Sequence, residues 1–463
     1  MMRQLLITIL TAIVSLTTAV SQTPAWAKET ESQKQKRMEW WTNDRLGMFI
    51  HFGLYAMPAR HEWVMSNEKI SREDYARYFE RFDPDLYDPG EWARKAREAG
   101  MKYVVITTKH HDGFCLWDTS LTDFKVTNTP YGKDIIGPLV DAFRAEGIRI
   151  GFYYSLIDWR HADFTVDRIH PERSDDKQAV EAANKGRSME RYRAYLRGQI
   201  TELLTGFGRI DELFLDFSYP GEGGKGREDW DSEGLLALIR SLQPHIIVDN
   251  RLDLDHTDWG WDFVTPEQFM PREWPEVRGR RVPWETCQTF SGSWGYHRDE
   301  HSWKSVGQLI TMLAETVSKG GNLLLNVGPT ARGAFDQRAT DRLSGIAEWM
   351  RLNSRSIYGC TQPPSIYETP DNCLTTYNPI TNRLYIHILD WPIKSLHLKG
   401  YEGKVAYAQL LSDASEIKIT TNPTPGSHTT ETTSPGDSIL TRPLPPPPHP
   451  PPRRPPHHKE PRP

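Results

Sequence analysis

The chain has 463 residues and a formal net charge of −5 at neutral pH, with 38 % hydrophobic and 25 % charged residues. This length is enough for one large domain and a smaller one. The acidic balance and the lack of a basic stripe argue against nucleic acid as the main partner. The sixteen tryptophans and eighteen tyrosines suit either core packing or stacking on sugar rings, and composition leaves both interpretations open.

The N-terminus has the pattern of a secretory signal. Arg3 precedes an apolar run over Leu5–Val20, and Ala25-Trp26-Ala27 fits a cleavage site with two small residues. We therefore expect residues 1–27 to be a signal peptide. The mature chain would then be exported (periplasmic, secreted or lumenal) and would have no membrane association. An uncleaved anchor is the alternative, although the run is short for a membrane span.

Strand-like and helix-like patterns alternate from about Leu46 to about Arg351. The predicted strands are Leu46–His51, Tyr103–Thr107, Ile148–Tyr154, Glu212–Asp216, Ile246–Asp249, Trp261–Val264, Trp284–Cys287 and Leu323–Val327. The predicted helices include Glu91–Ala99, Asp134–Glu146, Met189–Phe207, Glu233–Leu242 and Val306–Ser318. This order predicts an α/β fold, a (β/α)8-like barrel over residues 28–358. The stretch Asp253–Pro283 is irregular, so we expect a missing or distorted helix there.

A change of pattern after Tyr358-Gly359 predicts a second, smaller domain. Its strand-like segments are Cys373–Tyr377, Arg383–Leu389, Lys394–Leu398 and Lys404–Leu410. They predict a truncated β-sandwich over residues 359–420. From about Thr421 the chain is rich in Thr, Ser and Pro, then nearly all Pro, Arg and His, which predicts a disordered tail over residues 421–463. A linker or wall-contacting tail and a replaced natural domain end are both open interpretations.

The four cysteines do not form a disulfide framework in a chain of this size. Cys360 and Cys373 flank a short loop-like stretch and could pair, whereas Cys115 and Cys287 suit buried thiols. The sequence has no Cys-x-x-Cys and no His-Glu-x-x-His motif, so a zinc site is not supported.

Two adjacent histidines stand at the end of a predicted strand. His110 and His111 open the segment Lys109–Asp118 directly after the apolar run Met101–Thr107. That end of a strand is where a parallel β/α barrel binds ligands. Successive strand residues point to opposite faces, so one of the two histidines could be structural. A His-His-Asp metal cluster is a weaker alternative, because no further ligand set is evident.

Three carboxyl groups are candidates for chemistry on a sugar. Retaining glycosidases use an ionised nucleophile and a proton-holding partner across one sugar ring. Asp216 ends an apolar strand and suits the nucleophile, although a capping Asp fits its position equally well. Glu267, on the loop after the sixth predicted strand, and Glu285, in the seventh, compete for the acid/base role.

The ordered motifs over residues 38–360 resemble the α-L-fucosidases of glycoside hydrolase family 29. The Lys109–Asp118 segment and the stretch from Leu-Leu-Thr at Leu203 to Asp216 carry the resemblance. It implies that Asp216 is the nucleophile. It favours Glu267 as acid/base, with Glu285 as a buried carboxylate that orients its neighbours. Phe214 stands where a Trp is frequent in the family, and Phe217 where a Gly often follows the nucleophile.

The resemblance also implies a set of sugar-binding residues. They are His51, Glu62, Trp63, His110, His111, Tyr153 (or the adjacent Tyr154), Arg251 and Trp294. The implied activity is that of an exo-acting, retaining α-L-fucosidase on fucosylated oligosaccharides or glycoconjugates, without a cofactor. The alternatives are another retaining barrel glycosidase and a non-catalytic fucose-binding protein. The oligomeric state stays open.

Overall fold

A parallel seven-stranded sheet forms the centre of the molecule. The structure is a computed structural model that describes residues 23–391, 396–401, 403–419 and 439–441. The strands up to residue 327 are β1 Leu46–Ile50, β2 Tyr103–Lys109, β3 Arg149–Ser155, β4 Glu212–Asp216, β5 Ile247–Val248, β6 Glu276–Val277, β7 Arg280–Arg281, β8 Glu285–Thr289 and β9 Asn322–Val327. The sheet order is β5-β4-β3-β2-β1-β9-β8, and β6 and β7 form a separate hairpin.

Helices connect the strands and cover the outside of the sheet. They are α1 Glu31–Asp44, α2 Val64–Asn67, α3 Arg72–Phe79, α4 Pro89–Glu98, α5 Ile136–Ala145, α6 Lys177–Asn184, α7 Met189–Gly206, α8 Arg227–Trp230, α9 Ser232–Leu242, α10 Val306–Ser318 and α11 Gln337–Asn353. Local sequence explains their starts. Ser71 accepts a hydrogen bond from the Asp74 amide at 3.0 Å before α3, and Pro89 is the first residue of α4.

The predicted sixth strand is present only as isolated pairing. In place of a continuous strand over Trp261–Val264, Phe263 bridges Asp249 and Val264 bridges Trp284, both in parallel. These bridges join β5 to β8 and complete the eight-segment ring, so the (β/α)8-like prediction is confirmed. The stretch from residue 250 to 284, all of it described, contains the β6–β7 hairpin and no α-helix. The missing barrel helix expected there is therefore also confirmed.

Side chains alternate between the two faces of the barrel wall. Met48 and Ile50 of β1 belong to the large core under the helices. Phe49 between them points inward and packs with Tyr153 and Phe214 in the barrel interior. This alternation sends the residues at the carboxyl ends of the strands to one rim, which is the ligand-binding rim of such barrels.

The C-terminal domain is one mixed sheet in the described residues. Its strands are β10 Cys373–Asn378, β11 Arg383–Ile388, β12 Gln409–Leu410 and β13 Ile439–Thr441, in the order β10-β11-β13-β12. It docks on the barrel through a stacked contact between Trp349 and His387, with ring centroids 6.2 Å apart. The described residues of this domain form a single sheet, and its extension to a sandwich stays a prediction.

The structure describes only parts of the two ends of the chain. Within the tail predicted to be disordered, residues 439–441 form a short strand whose backbone pairs with β11 and β12. No strand forms over the described residues 396–398 of the segment predicted at Lys394–Leu398. The remainder of the tail and residues 1–22 of the predicted signal peptide lie outside the described residues; residues 25–27 form a short 3₁₀ turn.

Three of the four cysteines are free thiols inside the protein. Cys115, Cys287 and Cys360 are buried free thiols, which excludes the suggested Cys360–Cys373 disulfide and confirms the prediction for Cys115 and Cys287. Within the described ranges, no group of three or more His, Cys, Asp or Glu side chains is arranged to hold a metal ion. Among the same residues, no helix has the length and apolar character needed to cross a membrane.

Candidate active site

Asp216 is the last residue of β4 and lies at the carboxyl rim of the barrel. Its side chain accepts hydrogen bonds from the Tyr153 hydroxyl at 2.6 Å and from Arg251 Nη1 at 2.6 Å. Burial alone would raise its pKa, but the Arg251 charge and the Tyr153 hydroxyl together hold the pKa below its ordinary value. Asp216 is therefore an ionised, rigidly held carboxylate at neutral pH.

Arg251 joins Asp216 to Glu267. Its Nη1 donates to Asp216, its Nη2 donates to Glu267 Oε2 at 2.7 Å, and its Nε donates to Thr265 Oγ1 at 2.9 Å. Burial would lower the pKa of Arg251, yet Asp216 and the other nearby anions raise it, so the guanidinium stays charged. A single planar group thus holds both carboxylates at one end of the barrel.

Glu267 is more accessible than Asp216 but is tethered to the barrel. Its side chain is 42 % exposed, against 11 % for that of Asp216. The chain around it pairs with β8: the Gln268 amide donates to the Cys287 carbonyl at 3.1 Å, and the Cys287 amide donates to the Pro266 carbonyl at 3.2 Å. These bonds fix the backbone while leaving the carboxyl group open to a ligand.

Glu285 lies at the opposite end of the barrel. It is the first residue of β8 and is fully buried, with its Oε1 accepting hydrogen bonds from the Trp41 indole at 3.2 Å and from the Tyr103 hydroxyl. Burial raises its pKa to about 7. Since the amino-terminal ends of the strands face away from Asp216, Glu285 is remote from the other candidate carboxylates, and the choice between the two glutamates favours Glu267.

Three histidines line the floor of the site in their neutral form. Burial lowers the pKa of His51 to about 3 and that of His111 to about 4, and it holds the pKa of His110 well below its ordinary value. His110 stacks on Tyr153 with ring centroids 5.6 Å apart, and its buried Nδ1 has no hydrogen-bond partner. The ring centroids of His110 and His111 are 4.0 Å apart, so both histidines lie beside Tyr153 at the carboxyl rim.

Hydrogen-bond partners fix which nitrogen of each imidazole faces the site. Asn326 donates its amide Nδ2 to the Trp294 carbonyl at 2.7 Å, so its Oδ1 accepts from His51 Nδ1 at 2.7 Å. Ser155 donates to the Ile157 carbonyl, so its oxygen accepts from His111 Nδ1 at 2.7 Å. The Nε2 atoms of both histidines are then acceptors, suited to sugar hydroxyls.

Glu62 connects the first loop to the loop that carries Trp294. Its Oε2 accepts hydrogen bonds from the amides of Trp294 at 3.1 Å and Gly295 at 2.9 Å. Its buried Oε1 has no hydrogen-bond partner. His61 Nδ1 is 3.3 Å from Oε1 but already accepts the Trp63 amide, so it carries no proton for Glu62. Oε1 is thus an unused acceptor.

Aromatic rings close the site at two ends. Trp294 is half-buried against His51, with ring centroids 5.1 Å apart. Trp63 is half-buried against His111 at 4.9 Å and against Phe217 at 5.2 Å. Tyr154 points the other way, toward α7, where its hydroxyl donates to Gln199 at 2.8 Å, so Tyr153 is the tyrosine of the site.

Sequence reasoning missed the residues that orient the histidines. Asn326 is a polar residue in the otherwise apolar end of β9, and Ser155 ends β3 directly after Tyr154. Both stand at carboxyl ends of strands, so a systematic inspection of polar residues at those positions would have found them. Tyr55, which contacts the His110 ring at 5.1 Å, lies in a loop turn without such a signal.

A parallel barrel whose carboxyl rim holds two arginine-linked carboxylates and neutral histidines between aromatic walls has the features of a glycoside hydrolase. The family model for α-L-fucosidase matches residues 12–355. The chain belongs to the α-L-fucosidase family.

Individual relatives agree with this assignment. The solved structure of α-L-fucosidase isoenzyme 1 from Paenibacillus thiaminolyticus is 45 % identical, with a TM-score of 0.79, covering 84 % of this chain and 92 % of that one. An α-L-fucosidase from Bacteroides thetaiotaomicron, trapped as a covalent intermediate with 2-fluoro-fucosyl fluoride, is 27 % identical, with a TM-score of 0.72, over 85 % and 91 % of the two chains. The α-L-fucosidase of Dictyostelium discoideum is 27 % identical over 84 % of this chain and 86 % of its own length.

Proposed function

We propose that the chain is an exo-acting, retaining α-L-fucosidase that removes terminal α-L-fucosyl residues from oligosaccharides or glycoconjugates. The observation that carries the proposal is the bridge from Arg251 to both Asp216 and Glu267. It places an ionised carboxylate and a more accessible carboxyl group on one guanidinium, next to hydroxyl acceptors at His51 and His111. Retaining glycosidases need two such groups close together across the anomeric carbon.

In the first step, an oxygen of Asp216 attacks the anomeric carbon while the bond to the leaving oxygen breaks. Glu267 gives its proton to that oxygen, and a covalent fucosyl-enzyme forms. Tyr153 and Arg251 hold the attacking carboxylate in place through hydrogen bonds of 2.6 Å each.

In the second step, water replaces the departed group. Glu267, now ionised, takes one proton from the water as its oxygen bonds to the anomeric carbon, and the ester to Asp216 breaks. Esterified Asp216 carries no charge, so Arg251 is left to stabilise the carboxylate of Glu267, to which it donates at 2.7 Å. The same arginine thus supports a different anion in each half of the reaction.

The test is hydrolysis of an aryl α-L-fucoside by the mature chain and by the variants Asp216→Ala and Glu267→Ala. We expect release by the wild type and none by Asp216→Ala. Glu267→Ala should lose activity mainly on substrates with poor leaving groups, by about 10² to 10⁴-fold, and azide should restore its turnover. Activity that survives in Asp216→Ala would overturn the assignment of the nucleophile, and a folded wild type that binds L-fucose without hydrolysis would overturn the enzymatic function.

The export of the chain is part of the same proposal. The Arg3 start, the Leu5–Val20 apolar run and the Ala25-Trp26-Ala27 site support removal of residues 1–27. N-terminal sequencing of the protein from the medium or periplasm of a secreting host should begin at Lys28. A cell-retained product that begins at Met1 would contradict export.

A further inference from the structure

Phe217, directly after Asp216, has an unusual backbone conformation. Its φ angle is +86°, in the region that favours glycine. Two further non-glycine residues with positive φ, His61 and Gln268, also adjoin carboxylates of the site. Phe217 is the one phenylalanine among the described residues with this conformation, and a bulky apolar side chain has no local hydrogen bond to offset the cost.

The neighbours of Phe217 hold it in this conformation. On one side, the Leu156 amide donates to the Asp216 carbonyl at 2.8 Å. On the other side, the Ser218 hydroxyl donates to the Arg251 carbonyl at 2.6 Å and accepts from the Trp230 indole at 3.0 Å. The surroundings thus fix a strained residue firmly, directly beside Asp216. Such strain next to a candidate catalytic carboxylate indicates a functional constraint on the side chain.

The strained backbone directs the ring into the site. The Phe217 ring centroid is 5.1 Å from that of His111, whose Nε2 is 3.9 Å from Asp216 Oδ2. The Phe217 ring also packs against the rings of Trp63 and Tyr219, with ring centroids 5.2 and 5.3 Å apart. Phe217 itself is half-buried, so its side chain is not enclosed in the core.

A continuous row of ring contacts crosses the floor of the site. From Trp294 it passes to His51 at 5.1 Å, to His110 at 5.6 Å, to His111 at 4.0 Å and to Phe217 at 5.1 Å. Apolar rings stand at the two ends of the row, and hydrogen-bonding imidazoles stand between them. The row therefore offers hydrogen-bonding groups in its middle and apolar surface at its two ends.

We propose that Phe217 is a specificity-determining residue that forms the apolar end wall of the sugar pocket at the His111 end, opposite Trp294, and contacts the bound fucosyl ring. This inference rests on the proposed function and adds a residue to its binding site. A pyranose presents C–H groups at its faces and edges, which pack on an aromatic ring while its hydroxyls bond to the imidazoles. A fixed wall beside the nucleophile thus selects the sugar by shape.

The test compares two variants that lack the ring. Phe217→Gly removes it and suits the positive φ, whereas Phe217→Ala removes it and keeps an unfavourable backbone. We expect both to raise the inhibition constant Ki for L-fucose, and the KM for an aryl α-L-fucoside, by about tenfold, with kcat changed far less. Phe217→Tyr keeps a ring and should restore most of the affinity. Tyr407→Ala, which removes an exposed ring from the C-terminal domain, should leave Ki unchanged.

The outcomes separate this inference from the function on which it rests. An unchanged Ki in both Phe217→Gly and Phe217→Ala, with an active wild type, would overturn the role of the wall and leave the fucosidase intact. A loss of affinity in Phe217→Ala alone would assign the effect to backbone geometry and would also overturn it. A wild type that neither hydrolyses the fucoside nor binds L-fucose would overturn the proposed function itself.

Discussion

Strand β4 carries a carboxylate at each end, and the two ends of the barrel shift the pKa values of these carboxylates in opposite directions. At the carboxyl end, Arg251 and Tyr153 hold the pKa of Asp216 below its ordinary value despite burial. At the amino end, burial and the neighbouring Glu285 raise the pKa of Glu212 well above its ordinary value. The same strand and the same kind of group thus give an ionised carboxylate at one rim and a proton-holding carboxyl at the other.

The difference lies in the hydrogen-bond donors that surround each pair. Asp216 shares a guanidinium with Glu267, whereas neither Glu212 nor Glu285 forms an ion pair with a basic side chain in the part of the chain that the structure describes. We call Glu212 and Glu285, at the amino end of the barrel, the lower pair. When both are ionised, the two oxygens of Glu212 have no hydrogen-bond donor. A proton shared between the two carboxyl groups supplies that donor. A shifted carboxyl pKa therefore does not by itself identify the site. The pKa values of Glu212 and Glu285 are shifted more than that of Asp216, yet these two residues lie away from the carboxyl rim.

The largest expected effect separates the two ends of β4 directly. Asp216→Asn should lower kcat/KM for an aryl α-L-fucoside by at least about a thousandfold, because it removes the proposed nucleophile. Glu212→Gln, the matched amide change at the other end, should leave the rate on the same order as that of the wild type. Parallel steady-state kinetics on the two purified variants would check this, and comparable losses in both would break the comparison.

The second effect concerns how Asp216 stays ionised. Arg251→Met removes the charge that opposes burial, so the pKa of Asp216 should rise and the acid limb of the kcat/KM profile should move to higher pH. The pH–rate profile measures this shift. Arg332→Met, at a surface ion pair with Asp85, is the control and should leave the limb in place. If the acid limb of Arg251→Met lies at the same pH as that of the wild type, a group other than Asp216 controls it.

A smaller effect is expected on the free energy of unfolding, and it arises from Glu285 at the amino end of the barrel. The pKa of Glu285 is about 7 in the folded protein against an ordinary 4.5, so the folded state holds a proton that the unfolded chain releases between these values. Its contribution is complete below about pH 4.5 and is lost as pH rises through 7. Glu285→Gln, which cannot ionise, should therefore gain stability relative to the wild type between pH 5 and pH 8.

Urea unfolding at pH 5 and pH 8 would measure that gain, which we expect to be on the order of 2 kcal/mol. Glu39→Gln, at an exposed position of α1, should show the same difference from the wild type at both pH values. A gain for Glu285→Gln that does not depend on pH would contradict a shared proton.

The sequence allowed much of the barrel and its carboxyl rim to be predicted. The strand over Glu212–Asp216 and the helix over Val306–Ser318 have their predicted bounds, because apolar periodicity and helix caps are local signals. The reduction of Trp261–Val264 to isolated bridges was not predictable, since ring closure depends on partners far along the chain. The suggested Cys360–Cys373 disulfide failed for the same reason, because sequence spacing gives no distance.

The residues of the site also fall into those that the sequence predicts and those that need the structure. Residues at strand ends, such as His51 and Asp216, were predictable because a parallel barrel collects those ends at one rim. The choice between Glu267 and Glu285 needed the structure, which shows that they lie at opposite ends of the barrel. The Asn326 contact to His51 and the positive φ of Phe217 are products of tertiary packing, and no local pattern predicts either.

The most direct test of the account is to trap the intermediate. The mature chain would be incubated with 2-fluoro-fucosyl fluoride, and its intact mass and peptides would be measured by mass spectrometry. We predict one fluorofucosyl group per chain, on the peptide that contains Asp216, and no label in Asp216→Ala. A label on Glu267, or an active enzyme that never acquires a label, would contradict the assignment of Asp216 as the nucleophile.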